Sequence, residues 1–278
     1  MKKNLIVCGD KRNYYIAEYL KKKGEEVYTL NVPGTTDNVD KAMLADESFY
    51  NDVLLVLPVP VANFLSTENV KNIAENIKRF SGVCGGVIPE KITIACMENN
   101  IPCYDYMKDD GVAVKNAVAT AEGAIAETFM MSEINICDSK SLVTGYGRCG
   151  MVLAKKLAAL GSTVTVTARS VEACIKAEMD GFDTILMKKL ETESALDKFD
   201  FCFNTVPALI LTEEILCRFS REIIIMDIAS KPGGTDFEYC KANNIKYKHS
   251  LGIPGKYSPK TSGYILAEAI KKFPRPQE

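Results

Sequence analysis

Three glycines spaced as Gly145, Gly147 and Gly150, within SLVTGYGRCGMVLAKKLAALG, are the residues of this chain best suited to hold a dinucleotide. They follow an apolar strand pattern and precede an amphipathic helix pattern, the setting in which G-x-G-x-x-G binds phosphate. The first glycine allows a tight turn, the second admits a pyrophosphate to the backbone, and the third lets helix and strand close on each other. Tyr146, Arg148 and Cys149 complete the turn. The helix N-terminus behind it offers free N–H groups and partial positive charge to an anion.

The next strand, VTVTARS, ends where a unit that holds NAD usually carries an acid for the ribose hydroxyls; here stand Ala168, Arg169 and Ser170. A guanidinium at that point can clamp a 2′-phosphate and Ser170 can add a hydroxyl donor, so NADP is expected over NAD. NAD stays possible if Arg169 is only a solvated surface residue. Because open α/β sheets bind ligands at the carboxyl ends of their strands, three further loops matter. NTVP (Asn204, Thr205, Val206, Pro207) is expected beneath the nicotinamide, DIASKPGGTDF brings Ala229 to the cofactor with Ser230 and Lys231 beside it, and LGIPGKYSPKTSG adds Lys256, Lys260 and Thr261. The chain has one histidine, His249, so neither a Ser/His/Asp triad nor a multi-histidine metal site can be assembled. His249 follows two lysines in KYKHS and reads as a strand-surface residue.

These groups need two sets of elements to place them. The first half alternates apolar runs (LIVC, EVYTLNV, DVLLVLPVP) with helical patterns such as NYYIAEYLKKKG, giving a small α/β domain of about four or five strands over residues 1–115. NAVATAEGAIAETFMM, 116–131, has helical spacing and reads as a linker helix. It opens a second series to residue 259 that has the full strand and helix alternation of a doubly wound domain, including a short helix at 192–198. The closing helix, 260–278, is expected to return to the first domain.

At 278 residues, 47% hydrophobic, 25% charged and net charge -2, the chain is long enough for two buried cores and carries no broad basic surface for nucleic acid or an anionic membrane. The apolar run near the N-terminus is too short for a signal peptide and no run reaches the length of a membrane span, so a cytoplasmic protein is expected. The 10 cysteines are scattered without a C-x-x-C pair and are expected to be reduced and mostly buried; no metal-ligand cluster is apparent.

Taken in order, CGDKRN, LPVP, AVATAEGAIAE, GYGRCG, TARS, NTVP, DIASKPGGTDF and GIPGKYSPKTSG resemble the A-subunit of bacterial dipicolinate synthase over nearly the whole chain. The pairing of DIASKPGGTDF with GIPGKYSPKTSG is far rarer than a glycine turn. The resemblance implies a two-lobed α/β protein, a C-terminal Rossmann domain with a smaller flavodoxin-like N-terminal domain, laid out as in 2-hydroxyacid and alanine dehydrogenases. It also implies oxidation of dihydrodipicolinate, or of its hydroxy-tetrahydro precursor from the lysine pathway, to dipicolinate for endospores, with NADP+ as hydride acceptor. The flavoprotein-like second subunit of dipicolinate synthase would be the partner, and a homo-oligomer is possible.

A dicarboxylate substrate calls for donors to two anionic groups. On the nucleotide lobe these would be Ser230, Lys231 and the amides of Gly233 and Gly234, with Lys260 and Thr261 near the cleft; on the other lobe the turn GDKRN puts the substrate-side residues Asp10, Lys11 and Arg12 at a strand's carboxyl end. Ser230 and Lys231 would also be catalytic, and Glu122 would be the proton-abstracting carboxylate if it faces the cleft, or an exposed pairing residue if it does not. Two other readings stay open: a nucleotide-binding scaffold whose chemistry lies in its partner, and a shikimate-type NADP dehydrogenase.

Overall fold

Unbroken apolar runs such as Val53-Leu54-Leu55-Val56 and Phe201-Cys202-Phe203 are buried along their whole length, as strands covered on both faces must be. The computed structural model describes residues 3–36 and 38–273, and the far end of the expected helix 260–278 lies outside them. The chain divides into two compact units, Met1–Asn116 with Ser258–Glu278, and Ala117–Tyr257.

In the first unit, strands β1 (Lys3–Val7), β2 (Glu26–Leu30), β3 (Val53–Val56), β4 (Gly82–Gly85) and β5 (Cys103–Asp105) form one parallel sheet in the order β2-β1-β3-β4-β5. That is the doubly wound order of flavodoxin-like folds, with its switch point between β1 and β3. Helices α1 (Lys11–Lys22), α2 (Lys41–Ala45), α3 (Thr67–Glu75) and α4 (Glu90–Glu98) are interleaved with the strands. Asp10 caps α1, and Ile16, Ala17 and Leu20 form its buried stripe at helical spacing.

Helix α5 (Asp110–Met131) starts six residues earlier than the pattern at 116–131 indicated. Asp109 accepts the Val112 N–H at 3.0 Å, and this side-chain acceptor lets a turn containing Gly111 open the helix. The second unit begins within α5, at Ala117.

In that unit, β6 (Lys140–Thr144), β7 (Thr163–Ala168), β8 (Asp183–Leu186), β9 (Phe201–Asn204), β10 (Ile224–Asp227) and β11 (Lys246–His249) form a parallel sheet in the order β11-β10-β9-β6-β7-β8. Numbered from β6, this is the 3-2-1-4-5-6 order of a Rossmann domain, and the strand order reverses between β6 and β9. Helices α6 (Arg148–Ala159), α7 (Val171–Met179), α8 (Glu213–Leu216), α9 (Phe237–Ala242) and α10 (Ile253–Tyr257) accompany it. The expected helix at 192–198 is instead a 3₁₀ turn at Met187–Thr192 held by buried Leu190, while Leu196 and Phe199 enter the core as irregular chain.

Helix α11 (Pro259–Lys272), with proline in its first turn, belongs to the first unit and lies along α1. A Cβ on Gly263 would stand 2.8 Å from both Arg12 O and Tyr15 Cβ, so only glycine permits that approach. All ten cysteines are free; Cys137 and Cys217 are exposed, and only five are fully buried, which corrects the expectation that most are. Among the described residues no helix is long and apolar enough to cross a membrane.

Candidate functional site

The second unit's site is built at its switch point. Gly145, at φ +92°, turns the chain off β6, and a Cβ there would meet Thr205 Oγ1 at 2.6 Å and Val206 Cγ2 at 2.8 Å. The glycine turn and the NTVP loop are therefore in contact. Thr205 Oγ1 also donates to Thr144 O at 2.8 Å, tying the loop after β9 to the end of β6. A Cβ on Gly150 would stand 2.1 Å from Gly145 O, so the third glycine closes helix onto turn, whereas around Gly147 nothing stands within 4 Å. This open face beside the N-terminus of a 12-residue helix is a cradle into which a pyrophosphate fits.

Of the other members of the expected cofactor set, some serve the scaffold and some stand exposed. Tyr146 is buried, packs edge-on to Phe182 and donates to Asp180 Oδ2 at 2.6 Å. Cys149 is half-buried beside the turn, and burial raises its thiol against the opposing charge of Arg148, which is itself exposed. Arg169 and Pro207 are exposed, and Val206 is half-buried. Ser170 caps α7: its Oγ accepts the Ala173 N–H at 3.2 Å, and Glu172's own backbone N–H, followed by the Ser170 hydroxyl, holds the Glu172 carboxyl below its usual range. Ser170 is thus committed to the helix end, a correction to its role as a phosphate donor.

Asn204 is fully buried and makes no contact with solvent, so it does not lie against a nicotinamide. Its Oδ1 accepts from Thr144 Oγ1 at 2.5 Å and the Val206 N–H at 3.1 Å; its Nδ2 donates to Val206 O at 3.0 Å and Asp227 Oδ2 at 2.9 Å. Asp227, equally buried, also accepts the Gly234 N–H at 2.8 Å and Thr235 Oγ1 at 2.8 Å on Oδ2, and the Ala229 N–H at 3.0 Å on Oδ1. A buried carboxylate is tolerable when hydrogen bonds replace its water, and here four donors do so. The pair staples the loops after β6, β9 and β10. Nothing local in NTVP or DIAS tells a buried amide from a contacting one, so the sequence gives no sign of this role.

The same bonds dispose of two expected substrate contacts. The Gly234 amide is given to Asp227, and its Gly233 neighbour, at φ +91°, donates to Ser230 O at 2.9 Å, so neither faces a ligand. Gly234 O in turn accepts the N–H groups of Ile210 and Leu211, both at 2.9 Å, lacing this loop to the one after β9. Buried Ala229 contributes only backbone, its carbonyl accepting His249 Nε2 at 2.8 Å. His249 is accordingly half-buried beneath the loop and stacked on Phe237 at 5.0 Å, not a strand-surface residue; the lysines beside it point elsewhere because side chains alternate along a strand. Ser230 and Lys231 are exposed at the loop's tip, and Lys256 is exposed as well.

Glu122 pairs with Lys156 of α6 at 2.8 Å and is exposed, which places it in a surface ion pair. Five residues on, Glu127 is the buried carboxylate of α5, 2% exposed, and takes Tyr257 OH at 2.9 Å and Lys248 Nζ at 3.3 Å. Helical periodicity separates the two by more than a quarter turn, and the pattern alone did not show which face was covered.

In the first unit the switch point is filled from within. Arg12, buried, donates Nε to Asp10 Oδ1 at 2.9 Å, Nη2 to Asp10 Oδ2 at 2.7 Å, and Nη2 again to Val59 O at 2.6 Å. Asp10 and Arg12 thus join the turn after β1 to the PVP turn after β3 and satisfy each other, leaving Lys11 as the exposed cation of that turn. Lys260 and Thr261 line a groove of about 430 Å³ in this unit with Tyr19, Lys115, Tyr264 and Glu268, where Lys260 Nζ lies 5.9 Å from the Tyr264 ring centre. The start of α11 thus belongs to a helix surface of the first unit. No group of three or more His, Cys, Asp or Glu among the described residues is placed to hold a metal ion.

The family described as dipicolinate synthase A-subunit N-terminal domain matches residues 3–107. The chain is 30% identical to the dipicolinate synthase A-subunit of Bacillus subtilis (strain 168) over 284 residues, 96% of this chain and 94% of that one. The crystal structure of the dipicolinate synthase A-subunit from Bacillus halodurans superposes with a TM-score of 0.81 at 28% identity, covering 99% of this chain and 98% of that one. A transhydrogenase from Sinorhizobium meliloti, with a TM-score of 0.64 at 13% identity over 96% and 93% of the two chains, shares the fold alone.

Proposed function

The chain belongs to the dipicolinate synthase A-subunit family, and on that premise we propose that it oxidises dihydrodipicolinate to dipicolinate with hydride transfer to NADP+. A hydride leaves one ring atom and a proton leaves its neighbour; the ring gains a double bond, and NADP+ becomes NADPH. A hydroxy-tetrahydro precursor would first lose water. Aromatisation drives the step, so the protein needs chiefly to bind and orient.

The observation that carries this reading is the convergence of the Gly145–Gly150 turn, the NTVP loop and the exposed Ser230–Lys231 tip at the carboxyl end of one sheet. The open face at Gly147 and the α6 N-terminus fit a pyrophosphate, and Arg169 fits a 2′-phosphate. When bound, the nicotinamide supplies the hydride acceptor. Ser230 and Lys231 bind and orient a ring carboxylate, and their exposure lets the released proton pass to water. Asn204 and Asp227 are positioning residues that hold the two loops at a fixed separation. Association with the flavoprotein-like second subunit of the synthase, in the mother cell of a sporulating bacterium, belongs to the same proposal and is supported by the family.

The test is to give the purified chain substrate and NADP+, alone and with that flavoprotein-like partner, while following absorbance from NADPH and from the pyridine product. NADPH appearing in step with dipicolinate is expected. Product formed only with the partner's flavin, and no NADPH, overturns the proposal in favour of a nucleotide-binding scaffold.

A further inference from the structure

A second cation stands beside Arg169. Strands β7 and β8 are parallel neighbours in a register that sets Ala168 against Leu186, so the residues leaving their carboxyl ends, Arg169 on one and Met187-Lys188 on the other, emerge side by side. Adjacent strands lie about 4.8 Å apart, well within the reach of both side chains. The two cations line one cavity of about 300 Å³, whose other wall is the apolar surface of Leu209, Ile210 and Ile215 from the chain after β9. Neither Arg169 nor Lys188 has an ion pair or hydrogen bond to its side chain among the described residues.

The surroundings hold Lys188 in place. It sits on the 3₁₀ turn Met187–Thr192, anchored below by fully buried Leu190 and from the side by Arg218, which donates to the carbonyls of Glu191 and Glu193. Glu191 lines the same cavity, three residues beyond Lys188 and so on the same edge of a 3₁₀ turn, yet no ion pair joins the two. Two unpaired cations facing an apolar wall on a rigid turn match an apolar ring that carries an anion at one edge, which is the shape of an adenosine bearing a 2′-phosphate.

We propose that Lys188 is a specificity-determining residue of this cavity, acting with Arg169 as the second cation that selects a 2′-phosphorylated adenosine. The inference rests on the NADP reading above and adds to it a residue from the neighbouring strand. Ser170 being spent on its helix, the phosphate takes its second partner from Lys188.

The experiment is calorimetric binding of adenosine 2′,5′-bisphosphate and adenosine 5′-monophosphate to the full chain, with no turnover involved. The wild type should favour the bisphosphate, and Lys188→Ala should cut that preference by about tenfold, as loss of one charged hydrogen bond does, while leaving the monophosphate affinity unchanged. Glu191→Gln, which removes the competing carboxylate, should raise the preference. A wild type that prefers the bisphosphate and a Lys188→Ala variant that keeps the full preference would overturn the role of Lys188 and leave the NADP reading standing. A wild type without preference would overturn that reading, and this inference with it.

Discussion

Asn204 and Asp227 meet at 2.9 Å across neighbouring strands β9 and β10, both without exposure to solvent, and between them they hold the loops that carry the proposed chemistry. Deleting one partner leaves buried donors and acceptors unpaired, which costs more than the bond itself is worth. Asn204→Ala should lower unfolding stability by about 2 to 3 kcal/mol, measured by urea denaturation. A loss below about 0.5 kcal/mol, the range of an ordinary surface substitution, would contradict the staple.

The glycine turn separates folding from binding. A methyl at Gly150 would run into Gly145 O, a backbone atom that cannot give way, so Gly150→Ala should cost about 1 to 3 kcal/mol of stability as well as binding. Gly147 has open space around it, so Gly147→Ala should melt like the wild type yet lose NADPH binding, read by nucleotide fluorescence. Normal binding by Gly147→Ala would show that the open face does not take the pyrophosphate.

Lys231 is exposed and contributes nothing visible to the core. Lys231→Ala should raise substrate KM or abolish turnover with nucleotide affinity and melting temperature unchanged. Full activity in that variant would remove Lys231 from the site.

Glu127 gives the fold a pH dependence. Burial on its own would raise its carboxyl, but Ser250, Tyr257 and Lys248 outweigh it and hold the pKa below the ordinary 4.5. A carboxyl depressed on folding contributes stability that is complete above its unfolded pKa and is lost as the pH falls through the folded one. The stability gap between wild type and Glu127→Gln should therefore be flat from neutrality to about pH 5 and close at lower pH. A gap that widens on acidification would reverse the sign argued here.

Arg12 tests whether the first unit's switch point is a site or a brace. Its guanidinium is held through Nε and Nη2 by Asp10 and Val59 O, so Arg12→Ala should destabilise the first unit by about 2 to 3 kcal/mol, seen as an earlier thermal transition. A variant of wild-type stability with raised substrate KM would instead make Arg12 a ligand contact.

What could be read from the residues alone was what depends on near neighbours. The spacing of Gly145, Gly147 and Gly150 between a strand and a helix, the apolar runs of β3, β9 and β10, and the replacement of an acid by Arg169 are all written within a few positions, because turn geometry and strand burial are local demands. What tertiary structure decided is which polar side chains remain available. Asn204, Gly233, Gly234, Asp10, Arg12 and Ser170 each looked free to meet a ligand, and each is consumed by a partner or a helix end. Lys188 and Glu127 carried no signal of their own and gained their settings from the strand or helix beside them. A hydrogen bond formed across the sheet uses up a group wherever its partner lies in the chain, and that pairing is set by strand order and register, which no short stretch of residues records.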